Sequence, residues 1–311
     1  MRFLPFLILT FLLTANAAWS AVQITKTVEG KNGLSCIAYL NINDGSTRPL
    51  PLIVSVAGTG VYSNGAAPDQ SSPEGYLFIS GKVNVLTIDK PGIQYSSSDP
   101  GYTLDDKVYS QYTQETLITC LQNALTWALQ NDRVGPGVFL MGHSEGAQVV
   151  TRVYSLLLQN NSTVAAQIRA LFLSGIPMDG WKDIINWQMR DCDSVRQDFW
   201  KAIQTKDTAA LRKVGNLGHP YWEEILRTEP LRQTMERLAT MTPSASFQFY
   251  HGLKDQNTRV DAVTDFETWN RARTIEGKPA LRLAARYYNA EHYLNLAAMN
   301  DMIFNILARL D

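Results

Sequence analysis

The chain has 311 residues, 45% of them hydrophobic and 18% charged, which is the composition of one large globular domain, or one domain with an insertion, and not of a disordered segment. The formal net charge is −1 and Lys and Arg form no block, so no basic field gathers phosphates and nucleic acid is excluded as the expected partner. The three cysteines, Cys36, Cys120 and Cys192, are too scattered for a metal site; they read as small buried hydrophobes with at most one bridge between them.

Arg2 precedes the apolar stretch Phe3 to Leu13, and Ala15-Asn16-Ala17 supplies the small residues that a signal peptidase accepts. Pro5 interrupts the stretch, which falls well short of the about 20 residues a membrane span needs. Residues 1–21 therefore read as a secretory signal peptide, cleaved after Ala17 or near Ala21, and no later segment is apolar enough to span a bilayer. The expected mature protein is secreted or periplasmic, where disulfides are permitted.

Further along, short apolar runs alternate with helical patterns. Val22 to Val28 reads as an antiparallel edge strand, followed by strands at Ser35 to Ile42, Leu50 to Val56, Asn84 to Asp89, Val138 to Met141, Ala170 to Ser174, Phe247 to Tyr250 and Leu283 to Tyr288. Val108 to Gln130 reads as one long helix with Leu117, Leu121, Leu125 and Leu129 on its core face; Glu145 to Leu158, Val260 to Arg273 and Tyr293 to Leu310 read as further helices. The alternation predicts an α/β fold with a mostly parallel, doubly wound sheet of about eight strands and flanking helices. From Pro177 to Ser244 no strand pattern appears, only helical patterns interrupted at Gly215, Gly218, Pro220 and Pro230. We expect a core of residues 22–176 and 245–311 and a helical cap at 177–244, with Trp181, Trp187, Trp200 and Trp222 as the cap's own core rather than a ligand wall.

The most informative pentapeptide is Gly142-His143-Ser144-Glu145-Gly146, set between a strand pattern and a helix pattern. A serine hydroxyl is a weak nucleophile unless it is exposed, close to a base and served by donors for the oxyanion it creates. A sharp strand-to-helix turn meets the first need, and the N–H of Glu145 at the opening helix is half of an oxyanion hole. Open parallel sheets place ligands at the carboxyl ends of their strands, so the partners belong in the loops that follow them. After Val56 comes Ala57-Gly58-Thr59-Gly60, a turn suited to supply the second donor. After Asp89 comes Lys90 to Ser98, read as a pocket wall or structural turn and not as a catalytic part. After Tyr250 comes His251-Gly252-Leu253-Lys254-Asp255, and after Tyr288 comes Asn289-Ala290-Glu291-His292.

Of the four histidines, His143 sits beside the nucleophile and is expected to point away from the serine's partner, His219 lies in the cap segment, and His251 is expected to pack at a strand end. His292 remains as the general base. Asp255 is the favoured acid that orients it, with Asp179 and Asp261 as competitors. The order Ser144, Asp255, His292 is that expected of an elbow serine on a doubly wound sheet.

On these residues the chain, from about Leu50 to its end, resembles the α/β-hydrolase superfamily, in particular members with Gly-His-Ser-Glu-Gly at the elbow and a helical cap after the sixth strand. The resemblance implies Glu145 and Thr59 as the oxyanion donors, with Gly60 as the alternative, and likens Asp89 to Ser96 to the superfamily's structural Asp-x-x-Gly-x-x-x-Ser turn. Ala57 stands where the superfamily usually has a histidine. A serine rather than an aspartate at the elbow argues against dehalogenase and epoxide hydrolase chemistry. The expected function is hydrolysis of a carboxylic ester through an acyl-enzyme, on a small-molecule or peptide-like and partly apolar acyl substrate, with no cofactor. The alternatives are a peptidase or amidase with the same three residues, and a binding module that kept the fold and lost the chemistry.

Overall fold

The computed structural model describes residues 21–213 and 216–310; the leader expectation, apart from Ala21, and the interruption at Gly215 lie outside them. In chain order the first elements are β1 (Ala21–Glu29), β2 (Ser35–Asn43), β3 (Leu50–Val56), α1 (Pro73–Ile79), β4 (Asn84–Asp89), the hairpin strands β5 (Ile93–Tyr95) and β6 (Tyr102–Leu104), α2 (Asp106–Tyr109) and α3 (Gln114–Ala128). Next come β7 (Val134–His143), α4 (Glu145–Gln159), α5 (Thr163–Gln167) and β8 (Ile168–Ser174). Five helices follow without a strand: α6 (Trp181–Gln188), α7 (Asp193–Thr205), α8 (Thr208–Leu211), α9 (His219–Ile225) and α10 (Leu231–Thr240). The chain closes with β9 (Ser246–Gly252), α11 (Val260–Ile275), β10 (Arg282–Tyr288) and α12 (Leu296–Leu307).

Eight strands form one sheet in the order β1-β2-β4-β3-β7-β8-β9-β10. β1 pairs with β2 and β2 with β4 antiparallel; every pair from β4 to β10 is parallel. The parallel strands read as unbroken apolar runs because both of their faces are covered. In β7, Val138 and Leu140 face the cluster that holds α3, α4 and α11, whereas Phe139 and Met141 face the cluster with α1 and α12. Alternate residues of β8 divide the same way, with Leu171 and Leu173 on one face and Ala170 and Phe172 on the other.

The expected single helix over Val108 to Gln130 is two helices. Asp105 accepts hydrogen bonds from the N–H groups of Lys107 and Val108 and so caps α2. Thr113, in extended conformation, caps α3 through the N–H of Thr116. Both side chains offer the backbone a local alternative to a continuous helix, and the break between them turns Tyr112 into the interior. The last helix likewise starts at Leu296 rather than Tyr293, because Asn295 caps it at Ala298 N–H. Within the segment read as a bare turn, β5 and β6 pair as a short hairpin.

Cys36 of β2 and Cys120 of α3 form a disulfide across 84 residues, and Cys192 is free and exposed. No helix among the described residues is long and apolar enough to cross a membrane.

Candidate active site

The register of the parallel strands brings their carboxyl ends level. Val56 of β3 is opposite Gly142 of β7, His143 opposite Ser174 of β8, Ser174 opposite Tyr250 of β9, and Gly252 opposite Tyr288 of β10. The loops that follow therefore gather at one rim.

Ser144 sits at the apex between β7 and α4 with φ 54° and ψ −119°, a sparsely populated conformation for a residue with a Cβ and one that costs about 1–3 kcal/mol. The flanking glycines make the turn possible by close approach. A Cβ on Gly146 would lie 2.0 Å from the Val56 carbonyl oxygen, and one on Gly142 would lie 2.4 Å from the Gly146 carbonyl oxygen. The Ser144 N–H donates to the Ser174 carbonyl at 2.9 Å, so the elbow is held to the sheet while its side chain is left to the rim.

His292 and Asp255 lie on neighbouring loops that are tied together: Leu253 N–H donates to Tyr288 O at 2.8 Å and Lys254 N–H to Ala290 O at 2.9 Å. His292 Nδ1 and Asp255 Oδ2 are 2.8 Å apart and both side chains are buried. Asp255 also accepts from the N–H groups of Asn257 (2.7 Å) and Thr258 (2.9 Å) and from the Thr258 hydroxyl (2.7 Å). Burial alone would raise the Asp255 carboxyl; the hydrogen bond and charge of His292 and the Thr258 donors outweigh it and bring it to about 2. The carboxylate therefore stays ionised and holds Nδ1–H, leaving Nε2 as the acceptor for a proton. The competing acids are elsewhere: Asp261 is bidentate with Arg259, and Asp179 lies 3.9 Å from the same guanidinium.

Ser144 and His292 line one cavity of about 500 Å³, together with Ala57, Gly58, Thr59 and Tyr293. Among the described residues no hydrogen bond joins the Ser144 hydroxyl to the imidazole. Thr59 and Ser144, the cap residue of α4, line that cavity, whereas Glu145 and Gly60 are not part of its lining; the Gly60 carbonyl accepts from the Tyr109 hydroxyl at 3.3 Å. A larger cavity, about 860 Å³, opens at the opposite rim beside Leu50 and Arg169, far from these groups along both strands.

Of the remaining histidines, His143 departs from the sequence reading, whereas His251 packs at its strand end and His219 lies in the inserted segment, as expected. His143 does not point away: its ring packs on His292, 4.7 Å between centroids, and its Nδ1 is 3.0 Å from the Ser174 hydroxyl. Burial first, and the neighbouring His292 second, lower its pKa to about 4, so it is neutral near pH 7. His251 is fully buried; its Nδ1 accepts from Ile176 N–H at 3.3 Å, which directs the Nε2 proton towards Asp255 Oδ2, 3.6 Å away. His219 opens α9, 3.7 Å from Glu223.

Three features escaped the sequence reading. Lys90, at the loop read as structural, is buried and donates to Gly58 O at 2.8 Å and to Glu145 Oε2 at 3.0 Å, so one ammonium ties the glycine loop to the elbow. The fully buried Glu145 carboxylate also accepts from Tyr112 at 2.7 Å and from Tyr221 of α9 at 2.8 Å. Burial, then the Glu145 charge, push both phenols well above their ordinary range, so they remain donors. The signal available in the sequence was a carboxylate at the start of the helix packed behind the elbow, which must find partners when buried. Trp181 and Trp222 likewise line the cavity that holds Ser144 and His292 as well as packing in the core, a position that the cap-core reading did not assign.

No protein-family model matches the chain, and neither does any curated protein. Solved structures do. An esterase from Pyrococcus furiosus shares 12% identity over 94% of this chain and 91% of its own, with a TM-score of 0.61. A putative hydrolase from Agrobacterium vitis S4 shares 12% over 94% of this chain and 100% of its own, at 0.59. A puromycin-hydrolyzing peptidase from Mycobacterium tuberculosis shares 14% over 95% of this chain but 40% of its own, at 0.60. The chain has the α/β-hydrolase fold.

Proposed function

We propose that the protein is an exported serine hydrolase that cleaves a carboxylic ester through an acyl-enzyme. The observation that carries this reading is the 2.8 Å bond between an ionised Asp255 and His292 in the cavity that Ser144 lines from a strained turn. Ser144 Oγ attacks the ester carbonyl carbon as His292 Nε2 takes its proton. The N–H groups of Glu145 and Thr59 hold the oxyanion, and Asp255 steadies the imidazolium. Collapse breaks the bond to the alcohol, which leaves with the proton from His292, and a water molecule activated by the same imidazole releases the acid. The hydroxyl-to-imidazole bond is one that forms with substrate, since such bonds are often loose in resting enzymes. No step calls for a cofactor.

Several observations support this over a silent binding module. A positive φ at Ser144 is costly, and a fold that had lost its chemistry would relax it with glycine. The esterase and hydrolase likenesses favour esters; the likeness to a peptidase keeps amides as the second reading. Export is supported by the leader pattern and by the Cys36–Cys120 bridge, which persists in oxidising compartments. Hydrolysis of p-nitrophenyl esters against aminoacyl anilides decides between the two enzyme readings: ester turnover with little anilide turnover is expected, and the reverse preference makes the protein an amidase.

A further inference from the structure

A second cavity, about 290 Å³, adjoins the catalytic one and shares Ala57, His143 and Tyr293 with it. Its wall is apolar. Val56, Met141 and Phe172 come from the strand ends, and Leu294, Met299 and Met302 from the start of the last helix and the loop before it. The lining hydroxyls are engaged: Ser55 Oγ donates to Glu74 Oε1 at 2.8 Å, Ser71 Oγ donates to Asp69, Ser72 Oγ accepts from Gly75 N–H at 3.2 Å, and Ser174 Oγ lies 3.0 Å from His143 Nδ1; the Glu74 carboxylate repels an anionic guest. Where the two cavities meet, His143 and Tyr293 lie stacked, 5.2 Å between centroids, and His143 packs in turn on the base His292. Tyr293 is 76% exposed, so little packing resists its displacement.

Chemistry then decides which arm of an ester enters. The base must return its proton to the departing oxygen, so the leaving group extends from the scissile carbon on the imidazole's side. From the geometry we propose that this side cavity is a subsite for the leaving alcohol, and that it takes a compact uncharged apolar group of about phenyl size; the inference rests on the serine-hydrolase reading above. Its volume is at the small end of the about 300–1,000 Å³ range of ligand pockets, which fits one arm of a substrate and not the whole. Three methionines and a phenylalanine offer polarizable, adaptable contacts to an aromatic ring.

The test compares methyl butyrate with benzyl butyrate, which share one acyl-enzyme and differ only in the alcohol. Met299→Trp fills the subsite and is expected to lower the benzyl-to-methyl ratio of kcat/KM by about tenfold or more, the scale of a pocket contact removed. Met299→Ala enlarges it and is expected to raise the ratio for the naphthylmethyl ester, a result that stands even if the tryptophan variant fails to fold. A ratio unchanged in both variants overturns the inference, as does a change that follows the acyl chain at constant alcohol. A wild-type protein that hydrolyses neither ester and leaves Ser144 unlabelled by a fluorophosphonate overturns the hydrolase reading itself, and the subsite with it.

Discussion

The Glu145 carboxylate reaches inward to Lys90, Tyr112 and Tyr221. Removing one partner of such a buried pair strands the other charge, so Glu145→Leu is expected to cost about 3–5 kcal/mol in urea denaturation. Glu145→Leu with Lys90→Met is expected to recover most of that loss; a single variant within 1 kcal/mol of wild type contradicts the account of the network. His143 gives a second prediction. Its folded pKa, about 4, lies below its ordinary value, so between the two the unfolded chain holds a proton that the folded chain refuses. The stability is whole above about pH 6.5 and falls as the pH drops towards 4, by up to about 1.4 kcal/mol per pH unit, with His251 acting in the same direction. Melting curves of wild type and His143→Gln between pH 7 and 4 check this: the variant should lose less. Equal slopes exclude His143 as the source.

Among the elements, those with long apolar runs were legible. β3, β4 and the strand halves of β7 and β8 stand where the apolar runs stand, because strands covered on both faces keep apolar residues at successive positions through their middles. The break between α2 and α3 was not legible from the leucine stripe. It depends on the caps at Asp105 and Thr113, single polar side chains whose effect a helical period does not register. In the site, the pairing of Asp255 with His292 was legible from strand-end position and chain order, whereas Lys90 was hidden by its place in a turn already given a structural role. The link between β2 and α3 is also testable. In the chain-entropy account a bridge closing 84 residues contributes on the order of 4 kcal/mol, so Cys36→Ala with Cys120→Ala should lower the urea midpoint strongly, and reductant should then have no further effect. A double variant that keeps the wild-type midpoint contradicts the contribution of this bridge.

Across the whole molecule, the sheet acts as a ruler. Parallel pairing from β3 to β10 sets five strand ends at one rim, and residues separated by 148 positions in numbering, from Ser144 to His292, meet in one cavity as a result. The segment between β8 and β9 brings Trp181, Leu217 and Trp222 to that cavity and Tyr221 to Glu145. A nucleophile on this rim needs the imidazole for its reactivity and not only for its shape. Mapping a fluorophosphonate adduct by mass spectrometry, on the folded wild-type protein and on His292→Ala, measures that dependence directly. The expected result is one adduct, on Ser144, whose formation slows by several orders of magnitude without His292, since such residues act as a unit. An unlabelled Ser144, or labelling at the same rate in the variant, contradicts the account.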